Sequence, residues 1–380
     1  MFSATWVVAS GASADPHARV QSARRGSTAT ALTIKQLVTG EIDSCVLLSD
    51  KTIMCWGANT RGQMGNGTRS NVRTPQPVVG VANVEQVSAG ASHTCVRLAD
   101  RTAKCWGLNV QGQLGIGTNI DSLVPVAVPN VSGIASISVG DDHTCALLID
   151  HTVKCWGANS NGQLGNGTTI NTNTAVTVTG LYDAITVSAG GYHTCVQTLN
   201  QRIKCWGSNA YGQLGTGNFM GSSVPLLQPT LIGITKMIAV DVHSCAITAS
   251  QLQCWGYNRA GELGDRTTTN SPNPVSGTGL TTVTDVVAGY LHSCALLADA
   301  TARCWGSNHY GQLGNGSFND SFAPVSATAL SGVRSIAAGN GHTCALLQTN
   351  HVWCWGANYY GQLGANVGSQ STVPVPVSGL

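Results

Sequence analysis

Residues 81–118 read VANVEQVSAGASHTCVRLADRTAKCWGLNVQGQLGIGT, and the Cys-Trp-Gly inside that stretch returns along the whole chain. It begins at Cys55, Cys105, Cys155, Cys205, Cys254, Cys304 and Cys354, at spacings of 50, 50, 50, 49, 50 and 50 residues. A second cysteine precedes each motif, at Cys45, Cys95, Cys145, Cys195, Cys245, Cys294 and Cys344, so the 14 cysteines are used two per unit. Within a unit there is no 3.6-residue periodicity. Short β-rich runs bounded by Gly, Asn and Asp read instead as four strands, A to D. In the second unit A spans about Val84–Ala89, B about His93–Leu98 and C about Thr102–Gly107. D is either Val124–Val128 of the same unit or Pro75–Val79 of the unit before. Four antiparallel strands repeated every 40–50 residues are the signature of a β-propeller, and seven units lie within its usual blade numbers. A β-solenoid needs shorter repeats, and nothing interrupts the period at mid-chain as two packed sandwiches would. The expected fold is all-β, a seven-bladed β-propeller with four antiparallel strands per blade over residues 31–380, behind a leader or linker of residues 1–30.

The string G-x-x-H-[ST]-C followed by CWG-x-N-x-x-G-[QE]-[LM]-G resembles the regulator of chromosome condensation repeat, over about residues 31–380. The resemblance implies the seven-bladed propeller. It says less about function, because that family includes nucleotide exchange factors, inhibitors and binding modules, and function resides in sites rather than folds. Within the family the cysteine-paired chain looks most like the secreted β-lactamase-inhibitor propellers, which bind through loops on one face. In the exchange-factor branch a projecting loop contacts the GTPase, and intervals of at most 50 residues between motifs leave little room for one.

If B and C form a hairpin, pairing Cys95 with Cys105 sets a register in which facing residue numbers sum to 200. The fifth unit lacks one residue, yet Cys245 and Cys254 still face each other if the turn shortens around Ala249–Ser250. Opposed antiparallel positions have Cα atoms about 4.5–5.5 Å apart, a separation that a disulfide can span. Seven cross-strand disulfides, Cys45–Cys55 through Cys344–Cys354, would each contribute roughly 2.5–3 kcal/mol by chain entropy and imply an oxidising compartment. The competing readings are buried free thiols multiplied by duplication and a zinc site, for which the nine-residue gap is poor ligand spacing. The same register places His93, His143, His193, His243, His292 and His342 opposite glycines, with Asp43 in the first unit. These histidines are expected to bond a neighbouring backbone rather than form a metal ring, and the seven Trp from Trp56 to Trp355 to pack between blades.

Charged residues are 9% of the chain and the net charge is +2, which excludes partners held by bulk charge, nucleic acid foremost. Apolar residues are 42% without any run long enough to span a membrane as a helix. No Gly-x-x-x-x-Gly-Lys, His-Glu-x-x-His or Gly-x-Ser-x-Gly motif occurs. Asp50, Asp100, Asp150 and Asp299 recur at the B–C turn, where aspartate supplies turn geometry. The adjacent pair Asp141 and Asp142 is weak support for a glycosidase or calcium site. The chain is therefore expected to be non-enzymatic, with no cofactor and no metal.

In a repeat protein the residues that break the repeat are informative. Alternating strand direction puts the A–B and C–D loops on one face of the ring and the B–C and D–A loops on the other. On the A–B/C–D face the aromatics fall only in units four to seven: Tyr192, Tyr211, Tyr257, Tyr290, Tyr310, Tyr359 and Tyr360, with His309 beside them. Tyrosine offers rigid amphipathic contact area, so this crescent is the candidate binding site. The scaffold alternative is that Tyr211, Tyr310 and Tyr360 precede the Gly of the N-x-x-G motif for structural reasons.

In residues 1–30, the apolar Phe2–Ala9 and the Ala12-Ser13-Ala14 triplet read as the end of a secretory signal without its basic region. The expected function is a secreted, disulfide-stapled, non-enzymatic binding module, with a protein as partner or else a glycan. The alternatives are a structural part of an extracellular assembly or adhesin, with self-association, and a guanine-nucleotide exchange factor. The ring is expected to close either by packing of its first and last blades or by a clasp from residues 15–30.

Overall fold

A computed structural model of the chain describes residues 32–249 and 251–380. Among these, 28 strands form seven four-stranded antiparallel sheets, each built from four consecutive strands in sequence order. In blade 1 the A to D strands are Ile34–Thr39, Asp43–Leu48, Ile53–Gly57 and Val72–Pro77. In blade 2 they are Val84–Ala89, His93–Leu98, Ala103–Gly107 and Ser122–Ala127, so D belongs to its own unit and Pro75 lies in the D strand of blade 1.

Each blade hides its apolar face against the next. One core joins Cys45, Leu47, Ile53, Cys55, Met64 and Val78 of blade 1 to Val84, Val87, Val96 and Trp106 of blade 2. The seventh such core closes the ring, setting Leu346, Val352 and Leu363 of blade 7 around Ile34, Leu37, Val46 and Trp56 of blade 1. Blade 1 and blade 7 therefore meet by packing and hydrogen bonds. The clasp from residues 15–30 and the signal-like features at Phe2–Ala9 and Ala12–Ala14 lie outside the described residues.

All seven disulfides are present, with Cα atoms 4.0–4.1 Å apart. The register is the expected one: Cys95 faces Cys105, Thr94 faces Trp106 and His93 faces Gly107. In blade 5 Cys245 faces Cys254 and Thr248 faces Gln251, so the missing residue falls between Thr248 and Gln251. Seven bridges within one chain suit an oxidising environment rather than the reducing cytosol. No helix of the described residues is long and apolar enough to cross a membrane.

The histidines do something more specific than bonding backbone. His93 Nε2 lies 2.8 Å from Thr144 Oγ1 of the next blade, and Thr144 Oγ1 donates back to the Gln113 carbonyl at 2.9 Å. Because the hydroxyl proton is already committed, the imidazole must donate through Nε2, which fixes the neutral tautomer. Burial agrees, holding His93, His143, His193 and His292 down at about 3. The same Gln113 carbonyl accepts Trp156 Nε1–H at 2.9 Å. Histidine, hydroxyl, carbonyl and indole thus form one buried seam that recurs between blades. Gly115 belongs to it as well: at φ +69°, a Cβ there would lie 2.7 Å from the Trp156 ring. The glycine opposite each histidine is required by the backbone it faces. A Cβ on Gly157 would meet the Asp142 carbonyl at 2.5 Å and His143 Cα at 2.8 Å, so it makes room for backbone rather than for the imidazole.

The outermost D strands expose their edges. Six of the seven carry proline at the same place, at Pro75, Pro125, Pro225, Pro274, Pro324 and Pro374, and Ala175 replaces it in blade 3. Proline removes the outward N–H that a second chain would pair with.

Candidate functional site on the loop face

The A–B loops surround one mouth of the central channel, a cavity of about 140 Å³. The residue in the middle of each loop forms a ring: Glu41, Ala91, Asp141, Gly191, Asp241, Tyr290 and Asn340 from blades 1 to 7. Backbone bonds stitch neighbouring loops together, Glu41 N to the Gly90 carbonyl at 3.2 Å, Gly191 N to Asp241 O at 3.1 Å and Asn340 N to Glu41 O at 2.8 Å. Glycine precedes the ring position in six blades, and in five of them the next loop's carbonyl oxygen presses on it. A Cβ at Gly40 would sit 2.6 Å from the Gly90 oxygen.

Three of the seven ring positions are carboxylates, in alternate blades. Burial first, then repulsion from Asp241, Glu41 and Asp142, raises Asp141 well above the usual carboxylate range. Burial and Glu41 push Asp241 up to about 7, and burial followed by Asp142 raises Glu41. Asp241 is 8% exposed and its Oδ1 has no hydrogen-bond partner. Behind the ring, Asp43 is 1% exposed with neither oxygen bonded, and burial raises it too. The adjacent pair Asp141 and Asp142 is split between two tasks. Asp142 Oδ1 accepts from Gln113 Nε2 at 3.0 Å at the blade seam, while Asp141 lines the mouth. Among the described residues no group of three His, Cys, Asp or Glu side chains is placed to hold a metal ion.

Tyr290 lines this mouth, and the other tyrosines of the crescent lie in the A–B and C–D loops of the same face. Tyr211 and Tyr257 meet edge to face at 5.0 Å, and Tyr310 and Tyr359 at 6.0 Å. Tyr290 is a ring residue, and the charges of Asp141 and Asp241 raise Tyr192 beyond what its burial does. Tyr359 is the most exposed of these rings, with Tyr360 beside it. His309 is exposed, 3.8 Å from Asp320. The backbone N–H of Tyr211, Tyr310 and Tyr360 donates to Oε1 of Gln213, Gln312 and Gln362, but Arg61, Gln111 and Asn161 make the same bond in other blades. The turn needs an N–H there, not an aromatic ring. Tyr310 is the exception, since its ring lies 2.7 Å from where a Cβ on Gly341 would be.

Two parts of this face emerge only in the folded ring. Glu41 carries no local motif, although it occupies the loop position of Asp141 and Asp241. The other part is the apolar loop tips Ile120, Ile170 and Met220, 72–76% exposed on consecutive blades. They share one signal, a fixed offset of 11 from Asn109, Asn159 and Asn209, whose Nδ2 groups bond their carbonyls.

The Regulator of chromosome condensation (RCC1) repeat matches residues 52–97, 105–147, 150–197, 251–296, 304–346 and 350–380, and the chain belongs to that family. Among solved structures it is similar to Prp20p from Saccharomyces cerevisiae at 19% identity, with a TM-score of 0.76 over 90% of this chain and 87% of that one. That protein is described with its binding properties to Gsp1p and histones. Human WBSCR16 is 22% identical, with a TM-score of 0.74 over 82% of this chain and 86% of that one. The CRINKLY WD40 ectodomain of the Arabidopsis thaliana receptor kinase ACR4 is 20% identical, with a TM-score of 0.55 over 91% and 99%. At these identities the likeness is one of fold. No curated protein matches the sequence.

Proposed function

We propose that this propeller is a secreted, non-enzymatic protein-binding module that engages its partner with the A–B/C–D face. The observation that carries the reading is the combination on one face of exposed tyrosine rings, apolar loop tips and a carboxylate-lined mouth. Buried aromatic anchors surrounded by a polar rim are how stable interfaces are built, and a disulfide-stapled ring presents them with little ordering cost. The disulfides support an extracellular location. The proline-blocked D edges favour a discrete partner over assembly by strand pairing. The test is capture from extracellular material by the wild-type chain and by a Tyr192→Ala/Tyr359→Ala variant of equal melting temperature. A partner lost by the variant supports the face. Equal capture by both refutes it, and self-association alone favours the assembly role. Resemblance in fold to Prp20p keeps nucleotide exchange as a separate proposal, for which release of labelled GDP from small GTPases is the direct assay.

A further inference from the structure

We propose that the channel mouth is a socket for a basic side chain, arginine by preference, presented by the protein partner; this rests on the loop-face reading above. Glu41, Asp141 and Asp241 line the mouth together with the Gly40, Gly90, Gly140, Gly190, Gly289 and Gly339 backbone, and no Lys, Arg or His is among its lining residues. Among the described residues that line the mouth, no cation stands opposite the three acids. Gly191 separates two of the carboxylates. A Cβ there would run into Asp241 Oδ1 and come within 2.6 Å of Asp141 Oδ2, so the two acids face each other over a residue with no side chain.

A second observation points to an occupant. Asp241 is more than nine-tenths buried, lines the mouth, and has an Oδ1 with no hydrogen-bond partner among the described residues. An unpaired buried carboxylate oxygen is costly, and a propeller has no need of one there, since Ala91 and Gly191 fill the same ring position in other blades. Burial, and after it repulsion from neighbouring acids, raises the affinity of Glu41, Asp141 and Asp241 for protons. The shape of the arrangement selects the kind of cation. The carboxylates are spread over alternate blades and no three ligands converge as a metal ion requires. A guanidinium offers five N–H donors in a rigid plane and can reach two carboxylates and a ring carbonyl at once. Tyr290 in the lining supplies an aromatic ring of the kind a guanidinium packs against.

The test is selection of a phage-displayed library of disulfide-closed heptapeptides on the full chain. The library is run in parallel on a Glu41→Gln/Asp141→Asn/Asp241→Asn variant and on the tyrosine variant above. Wild-type binders should carry Arg or Lys at one fixed position, and replacing that residue should weaken binding by roughly ten-fold or more. The amide variant, which keeps the shape and removes buried charge, should fold and lose the preference. Failure to recover binders, binders with no basic preference, or a preference retained by the amide variant would each overturn the socket. Binding that vanishes with a chelator and returns with calcium would overturn it in favour of a metal site. Peptides that need the tyrosines but show no basic preference would leave the loop-face reading standing. Peptides insensitive to the tyrosines would refute that reading itself.

Discussion

Replacing Glu262 by glutamine should stabilise the propeller at neutral and alkaline pH and do nothing in acid. Glu262 is the single acid at a position that is glutamine in the other six blades. It is 0% exposed; Oε2 accepts the Ala260 N–H at 3.0 Å, and Oε1 has no partner. Burial pushes its carboxyl up to about 7, with Asp320 adding to the shift. The folded group thus holds its proton more tightly than the unfolded one, whose ordinary value is 4.5. Below that value both states are protonated and there is no penalty. As pH rises from there through about 7 the folded state loses stability, and beyond 7 the loss is constant. A shift of about 2.5 units at ~1.4 kcal/mol per unit gives about 3 kcal/mol as the upper end of the gain from Glu262→Gln at pH 8. With roughly 350 residues in the propeller and ~2.1 cal/mol/K of unfolding entropy each, that is about 4 °C in melting temperature. The buried amide it introduces has precedents in Gln63 and Gln213, whose Nε2 groups are also unpartnered. Calorimetry of the oxidised protein at pH 8 and pH 4 reads the difference. Equal shifts at the two pH values, or no shift at pH 8, would refute the titration argument.

Asp43→His should install the seventh histidine contact, with Nε2 reaching Thr94 as His93 reaches Thr144, and raise the melting temperature at pH 8 while removing a buried carboxyl. A drop there would show that Asp43 has a partner of its own. The six histidines held near 3 to 4 act in the opposite sense to Glu262. Their stabilisation is complete above their ordinary value of 6.5 and is lost as pH falls towards their folded values. Acid unfolding should therefore be steep in protons, and His143→Gln should reduce that uptake by about one proton in a pH series of denaturant midpoints. Tyr192→Ala should stay within about 0.5 kcal/mol of wild type in denaturant melts. Tyr310→Ala should cost about 1 kcal/mol through its Tyr359 and Gly341 contacts. Intact mass should rise by roughly 14 Da on full reduction, and a smaller rise would mean open bridges.

The scaffold was legible because its determinants are local and repeated. The period of 50, the paired cysteines ten residues apart and the turn glycines specify strand, hairpin and register one blade at a time. The one-residue deletion before Cys254 confirmed the register, since only a shortened turn preserves it. The candidate site was legible in part. Tyrosines stood out as departures from the repeat, whereas Glu41, Asp141 and Asp241 are 100 residues apart in sequence and share nothing but a loop position. The role of Gln113 was hidden for the same reason, because its carbonyl serves a Trp and a Thr that lie in the next blade.

The sequence by itself determined the blade, its disulfide, its hairpin register and the number of copies, since each depends on residues within about 50 positions of one another. Only the tertiary structure decided how the blades speak to their neighbours. Closing the ring brings blade 7 against blade 1, turns each histidine onto the following blade's hydroxyl, and gathers three distant acids at one mouth. Those contacts depend on curvature summed over seven blades, and burial of an uncompensated carboxylate is a property of that closed ring, which no single repeat contains.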